Sequence, residues 1–301
     1  MESYHRNRRL FWLLAGPGSF WLLFFFLVPL GIVWTLSFGE KAVIDGQISI
    51  TETEITWTLA NYLRALADPV YLKIIWKSVW ISVFATLLCL LIAYPVAFLI
   101  SFTSPRRQAW LLLAVILPFW INLLIRTYAL IAVFRTKGYV NFTLEWIYNG
   151  LWLDHLFGAF QPLELLYNNF AVVAGLVYVF MPFMVLPLYA SIERLDRSML
   201  EASLDLGAGQ FTTFLRVTVP LTMPGIISGV ILVFIPSLGS FLTADLLGGT
   251  NATMIGNVIE RQFKAANDWP FGAALSFLLM YVTFGALALR AVISRQSGMP
   301  A

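Results

Sequence analysis

Side chains able to do covalent chemistry are few in this sequence, and they are kept apart. The two histidines, His5 and His155, are far from one another and lie outside the long apolar runs. The single cysteine, Cys89, can form no internal disulfide and reads as a small packing residue within an apolar run. No Gly-rich segment ends in Lys-Ser or Lys-Thr, so the chain lacks a loop of its own for cradling nucleotide phosphates. Paired carboxylates, a Cys/His cluster and a Gly-x-Ser-x-Gly turn are likewise missing, so neither a catalytic nor a metal site is expected. Within the apolar runs the ionisable groups are essentially Arg126 and the edge residue Asp245. A carrier driven by protons or sodium would be expected to bury such groups near mid-membrane. Any transport by this chain must therefore be powered from outside it.

The place to receive that power is a polar stretch, Ser191 to Pro220 (SIERLDRSMLEASLDLGAGQFTTFLRVTVP), set between two long apolar runs. Apolar residues at Ile192, Leu195, Met199, Ala202 and Leu206 fall in one stripe of a helix, with charged residues on the remaining surface. Gly207 stands where a helix C-terminus favours a residue that can take positive φ. Phe211, Phe214 and Leu215 begin a second short segment, stopped by Pro220. The expected element is a helix–turn–helix held by a partner outside the membrane.

Composition sets its surroundings. Of 301 residues 59% are hydrophobic and only 12% charged, about half the charge of an ordinary soluble domain. Charge-free runs extend over Leu10–Gly39, Ser78–Pro105, Gln108–Ile125, Leu165–Ile192, Val217–Ala244 and Trp269–Leu289. A crossing helix needs ~20 apolar residues; the third run reaches that length if it continues through Arg126 to Phe134. The expectation is an all-α membrane protein, one domain with six spans at about 11–38, 78–104, 109–134, 166–190, 221–244 and 270–290. The segments 40–77, 135–164 and 246–269 are its outer loops and 191–220 its long inner one. Arg6, Arg8 and Arg9 before the first run suit a signal peptide, but the run is far longer than the ~7–15 residues of a signal core, so an uncleaved anchor is expected. With the N-terminus inside, the short inner segments hold ten basic residues against five acids, whereas the longer outer ones hold ten acids. Both termini and 191–220 are therefore assigned to the cytoplasm. Gly225 and Gly229 in the fifth run are read as a close-packing pair.

The spacing within the polar stretch resembles a known family. Glu201-Ala202-Ser203, three residues, Gly207, nine residues and Val217-Thr218-Val219-Pro220 are similar to the EAA loop of ABC importer permeases: Glu-Ala-Ala, three residues, Gly, nine residues, Ile-x-Leu-Pro. Ser203 replaces the third small residue, and Val217 and Val219 stand for the aliphatics. Further segments, among them PFWINLLIRTYAL (118–130), RTKGYVN (135–141), DLLGG (245–249) and DWPFGAA (268–274), resemble the PotB-type permeases of spermidine/putrescine importers. The 157–167 part of the second outer loop matches least well.

The resemblance implies a type I ABC importer permease (MetI-like) fold in the bacterial inner membrane, multi-pass, with both termini cytoplasmic. It implies coupling to an ATPase through Leu200, Glu201, Ala202, Ser203, Leu206, Gly207, Ala208 and Pro220. The implied partners are a homologous second permease (PotC-like), two ATPase subunits (PotA-like) that bind ATP and Mg, a periplasmic polyamine-binding protein (PotD-like) and the lipid membrane. No cofactor in this chain and no nucleic acid are expected. For a polyamine, carboxylates, carbonyls and aromatic faces must replace water around the ammonium groups. Trp120, beside Pro118, and more weakly Tyr128 are the aromatic candidates; Asn122 is a polar one, with an inter-span hydrogen bond as its other role. Asp245 is either an ammonium site at the outer gate or a helix-end residue, solvated or paired with Arg126. Glu201 is expected to orient the coupling helix through a local hydrogen bond or an Arg pair. Permeases for other small solutes share the coupling loop. An ion-coupled carrier and a membrane scaffold are the rival classes.

Overall fold

A computed structural model describes residues 8–44, 47–152 and 158–296. His5, His155 and Arg6 lie outside the described residues. The order is α1 (Arg8–Leu36), β1 (Glu40–Ile44), β2 (Gln47–Glu54), α2 (Ala60–Ala67), α3 (Pro69–Ser101), α4 (Pro105–Ile116), a 3-10 turn (Leu117–Trp120), α5 (Leu123–Phe134), α6 (Tyr139–Gly150), α7 (Asn169–Glu193), α8 (Arg197–Asp205), α9 (the helical run Gln210–Leu221), α10 (Met223–Leu238), α11 (Leu242–Gly248), α12 (Ile255–Lys264) and α13 (Trp269–Gln296). Two compact units are formed, one from 1–72 with 258–297 and one centred on 73–257.

In the first unit, α13 packs against α1 and α2. Trp34 Nε1 donates to Tyr281 Oη at 2.8 Å. Arg64 pairs with Asp268 at 3.2 Å and lies 4.1 Å from the Phe271 ring centroid. Strands β1 and β2 form an antiparallel hairpin, Glu40 opposite Glu54 and Ile44 opposite Gln47, with a register shift between Lys41 and Val43. The sequence reading placed only a polar loop there. The signal for a hairpin, the Asp45-Gly46 dipeptide between two β-prone runs, is present in the chain.

The second unit is built around α7, where most residues from Ala171 to Leu188 are buried or half-buried. Helix α10 lies along it because Gly225 and Gly229 carry no side chain. A Cβ at Gly225 would stand 2.4 Å from Ser191 Cβ and 2.7 Å from the Pro187 carbonyl, and one at Gly229 2.6 Å from Met184 Sδ. From α3, Ala85, Cys89, Ala93 and Ala97 join the same core, spaced four apart on one face. Helix α11 packs on both α5 and α7.

Three helices are long and apolar enough to cross a bilayer: Leu14–Leu36 within α1, Pro69–Ser101 and Asn169–Glu193. Two further apolar runs are bent pairs, by 96° between Pro105–Trp120 and Leu123–Gly150 and by 68° between Gln210–Leu221 and Met223–Leu238. The apolar part of α13, Trp269–Gly285, is shorter. Three of the helices that carry expected spans differ from them in outline. The helix of the second starts at Pro69, since Asp68 Oδ1 accepts from Val70 N at 2.9 Å and proline suits a first helical turn. The third apolar run is interrupted, because Ile121 is extended and Asn122 starts a new helix. The helix of the fifth ends at Leu238, and Asp245 rides on the separate short helix α11.

Candidate functional site

The stretch between α7 and α10 folds as a hairpin of α8 and α9. Helix α8 begins where Asp196 accepts from Ser198 N at 3.0 Å, a bond that also holds the Asp196 carboxyl below the usual carboxylate range. It ends in a Schellman turn. Gly207 takes φ +83, its N–H donates to Leu204 O at 2.9 Å, and Ala208 N donates to Ser203 O at 3.2 Å. The stripe read through Ile192, Leu195, Met199, Ala202 and Leu206 is therefore divided. Ile192 is buried as part of α7, and the chain breaks at Asp196 before α8 starts.

Ser203 holds the hairpin closed: its Oγ lies 2.9 Å from Thr213 Oγ1, and Thr213 is buried. Leu200 and Ala208 are half-buried beneath the turn, whereas Glu201, Ala202, Leu206, Gly207 and Pro220 are exposed. Leu206 is 88% exposed and Phe211 74%, the most exposed of the hairpin's large apolar side chains, which also include Met199, Leu204 and Leu215. Glu201 has no hydrogen bond or ion pair among the described residues. The anchoring expected of it is supplied by Asp196, Ser203 and Arg197. Arg197 Nη2 donates to Ser101 O at 3.4 Å, and its guanidinium stands 4.9 Å from the Phe102 ring centroid. It thus ties α8 to the end of α3. Nearby, Gln108 Nε2 of α4 donates to Tyr189 Oη at 2.6 Å and to Glu193 Oε1 at 3.1 Å on α7. Where α9 meets α10, buried Tyr94 of α3 and Thr222 share a hydrogen bond of 2.8 Å. Arg197 thus gives the hairpin a polar link to α3, and Gln108 a separate one between α4 and α7.

The aromatic and polar candidates gather around the break between α4 and α5. Trp120, at the end of the 3-10 turn, is 74% exposed, and Tyr128 is exposed one turn into α5. Asn122 makes no inter-span bond among the described residues: its Oδ1 accepts from Leu124 N at 2.8 Å and caps α5, and the residue is exposed. Arg126 is buried, with its guanidinium carbon 5.9 Å from the Phe119 ring centroid. Its Nε and Nη1 have no hydrogen-bond acceptor among the described residues. Asp245 is on the exposed side of α11, whose other side, formed by Thr243, Ala244, Leu247 and Gly248, is buried. Packing of α11 on α5 brings the segment carrying Asp245 against the one carrying Arg126 and Tyr128. Missed from the sequence were Arg197, Thr213 and the cap Asp196. For the last, an Asp two residues before Ser and ahead of an apolar period was a legible start signal.

The family model for binding-protein-dependent transport system inner membrane components matches residues 93–295, which contain both features. The chain belongs to this family of importer permeases. The permease is 41% identical over 262 residues to the spermidine/putrescine transport system permease protein PotB of Escherichia coli K12, covering 87% of this chain and 90% of that one. PotB of Haemophilus influenzae is 42% identical over 273 residues, covering 88% and 90%. The inner membrane ABC transporter permease protein YdcU of E. coli is 34% identical over 281 residues, covering 89% and 87%. A chain of a bacterial ABC transporter involved in alginate import has the same fold, with TM-score 0.70 at 17% identity over 98% of both chains. The family is an inner-membrane one, and the apolar helices make this permease a multi-pass member of it.

Proposed function

We propose that this permease is half of the translocation pathway of an ATP-driven polyamine importer. The observation that carries the reading is the 41% identity to PotB over 87% of the chain. The α8–α9 hairpin with its exposed Leu206 and Phe211 supports the coupling part. On this reading there are six crossings, with α4 and α5 together, α10 with the end of α9, and α13 each counted as one, and both termini and the hairpin face the cytoplasm. A PotC-like permease completes the pathway, two PotA-like ATPases bind ATP and Mg, and a PotD-like periplasmic protein delivers the polyamine. The chain itself catalyses no covalent reaction.

The physical sequence runs from the hairpin inward. ATPase closure moves α8, which is stiffened by the Asp196 cap, the Schellman turn and the Ser203–Thr213 bond. Arg197 passes the movement to α3, and Gln108 links α4 to α7. The close α7–α10 contact moves as one body, so the displacement rocks the pathway instead of dissipating in loops. In the pathway, the Trp120 and Tyr128 rings each offer ~0.5–2 kcal/mol to an ammonium group, enough to guide it without trapping it. Asp245 offers a carboxylate.

The test is uptake of labelled spermidine and putrescine by cells lacking their other polyamine importers. Trp120→Ala and Asp245→Asn should each lower uptake several-fold while the subunits still co-purify. Unchanged uptake in both would remove these residues from the pathway. An intact importer that carries another solute and no polyamine would overturn the substrate assignment.

A further inference from the structure

Helix α6 has a face that nothing among the described residues covers and that the pathway does not use. Tyr139, Phe142 and Trp146, spaced three and four, form one stripe and are 71%, 70% and 72% exposed. At 100° per residue they fall within about 60° of one another around the helix. Ile147 on the flank of the stripe and Leu151 just beyond the helix are 43% and 65% exposed.

The opposite face is fixed. Asn141 is buried, and its amide makes a paired contact with the Leu163 backbone: Nδ2 donates to the carbonyl at 2.9 Å, and Oδ1 accepts from the N–H at 2.9 Å. Seven residues on, Tyr148 Oη donates to Gly158 O at 3.0 Å, and its ring lies 5.6 Å from that of Phe160. Leu144, between them, is half-buried. The segment 158–163 therefore locks the roll of α6 and leaves the aromatic stripe turned away from the rest of its unit. The entry is fixed too, since Gly138 N donates to Arg135 O at 2.7 Å in the tight turn from α5. In that turn Arg135 and Lys137 are exposed.

We propose that α6 lies in the membrane–water interface, with Tyr139, Phe142 and Trp146 at the headgroup–acyl boundary and Arg135 and Lys137 reaching lipid phosphates. Three observations select lipid as the occupant. The stripe follows within five residues of the apolar helix α5, so it continues a surface already in the bilayer. Its side chains are the aromatic types that favour that boundary, large enough to enter the apolar layer yet, in Tyr and Trp, polar at one end. The two cations stand at the start of the helix, where snorkelling side chains meet phosphate. With its roll fixed, α6 acts as a float. It sets the depth of the 158–163 segment and of the α5 end, and it resists tilting when the spans rock. The inference uses the membrane reading of this permease and is independent of the polyamine assignment.

The test uses the assembled transporter in lipid nanodiscs. Phe142→Cys, Trp146→Cys and Glu145→Cys are each spin-labelled, with buried Cys89 left in place and the unsubstituted protein as background. Labels at 142 and 146 should be relaxed more by dissolved oxygen than by a water-soluble nickel chelate, with a ratio several-fold above that of the label at 145. As a check on the natural side chain, Trp146→Phe should remove a component of tryptophan emission that lipids brominated in the upper acyl chain quench. Equal nickel access at all three sites, with no lipid-quenched component at Trp146, would overturn the proposal. So would protection of the labels by the soluble binding protein alone, which would make the stripe a protein-docking face. Polyamine uptake by the same variants in proteoliposomes separates this outcome from failure of the substrate assignment.

Discussion

Gly207 offers the sharpest test of how the hairpin couples. At φ +83 an L-side chain is strained, yet a Cβ built there meets nothing within 4 Å. The penalty for substitution is thus conformational and not steric. It amounts to ~1–2 kcal/mol for alanine and more for a β-branched residue, part of which shows as fraying of α8. Asparagine, which tolerates the left-handed region, should cost least. A loss of 1–2 kcal/mol reduces the ratio of intact to open Schellman turn by a factor of about 5–30. The assay is ATPase co-purification together with transport-coupled ATP hydrolysis in proteoliposomes. The expected order is Gly207→Asn near the unsubstituted protein, Gly207→Ala reduced by at most that factor and Gly207→Val lowest. If Gly207→Val couples normally, the turn does not matter. If Gly207→Asn fails as badly as Gly207→Val, the partner requires a bare backbone at this point, and the conformational reasoning is refuted.

Ser203→Ala and Thr213→Val should each weaken the closed hairpin, and the double substitution should cost less than their sum. The coupling energy, about 0.5–1.5 kcal/mol for one hydrogen bond, is readable from amide exchange across 197–213. Gly225→Val places carbon 2.4 Å from Ser191 Cβ, so α10 must move off α7; overpacking of ~1–3 kcal/mol should lower the melting temperature and uptake together. The Asp196 carboxyl is held below its ordinary range in the folded hairpin, so its contribution is present above the unfolded-state value of 3.8 and is lost as pH falls through the folded one. Amide protection at Ser198 should accordingly fall in acid, and Asp196→Asn should remove that pH dependence while keeping the cap.

Apolar runs and the spacing from Glu201 to Pro220 were legible because each is a one-dimensional pattern. Hydrophobic length marks a crossing helix, and Gly207 marks a turn only glycine enters easily. Breaks were harder to read. Pro118 and Asn122 were visible inside the third run, but a long apolar window outweighed them, and only the structure shows Asn122 ending that window by capping α5. The stripe through Ile192 and Leu195 misled for a related reason: a periodic pattern continues across a cap that resets the helix. What no pattern carries is contact between distant segments. Arg197 on Ser101, Ser203 on Thr213 and Tyr94 on Thr222 pair residues of unremarkable local sequence, and they give the hairpin its grip on α3 and α9.

The central claim is that this permease moves polyamine only when a partner ATPase drives the α8–α9 hairpin. The most direct measurement is spermidine uptake into proteoliposomes holding the permease, its second permease and the ATPase, with the binding protein added from the outer side. Uptake should require ATP and the binding protein, ignore imposed proton and sodium gradients, and be lost in a Leu206→Asp, Phe211→Asp variant. Uptake by the permease alone along an ion gradient, without ATP, would contradict the claim.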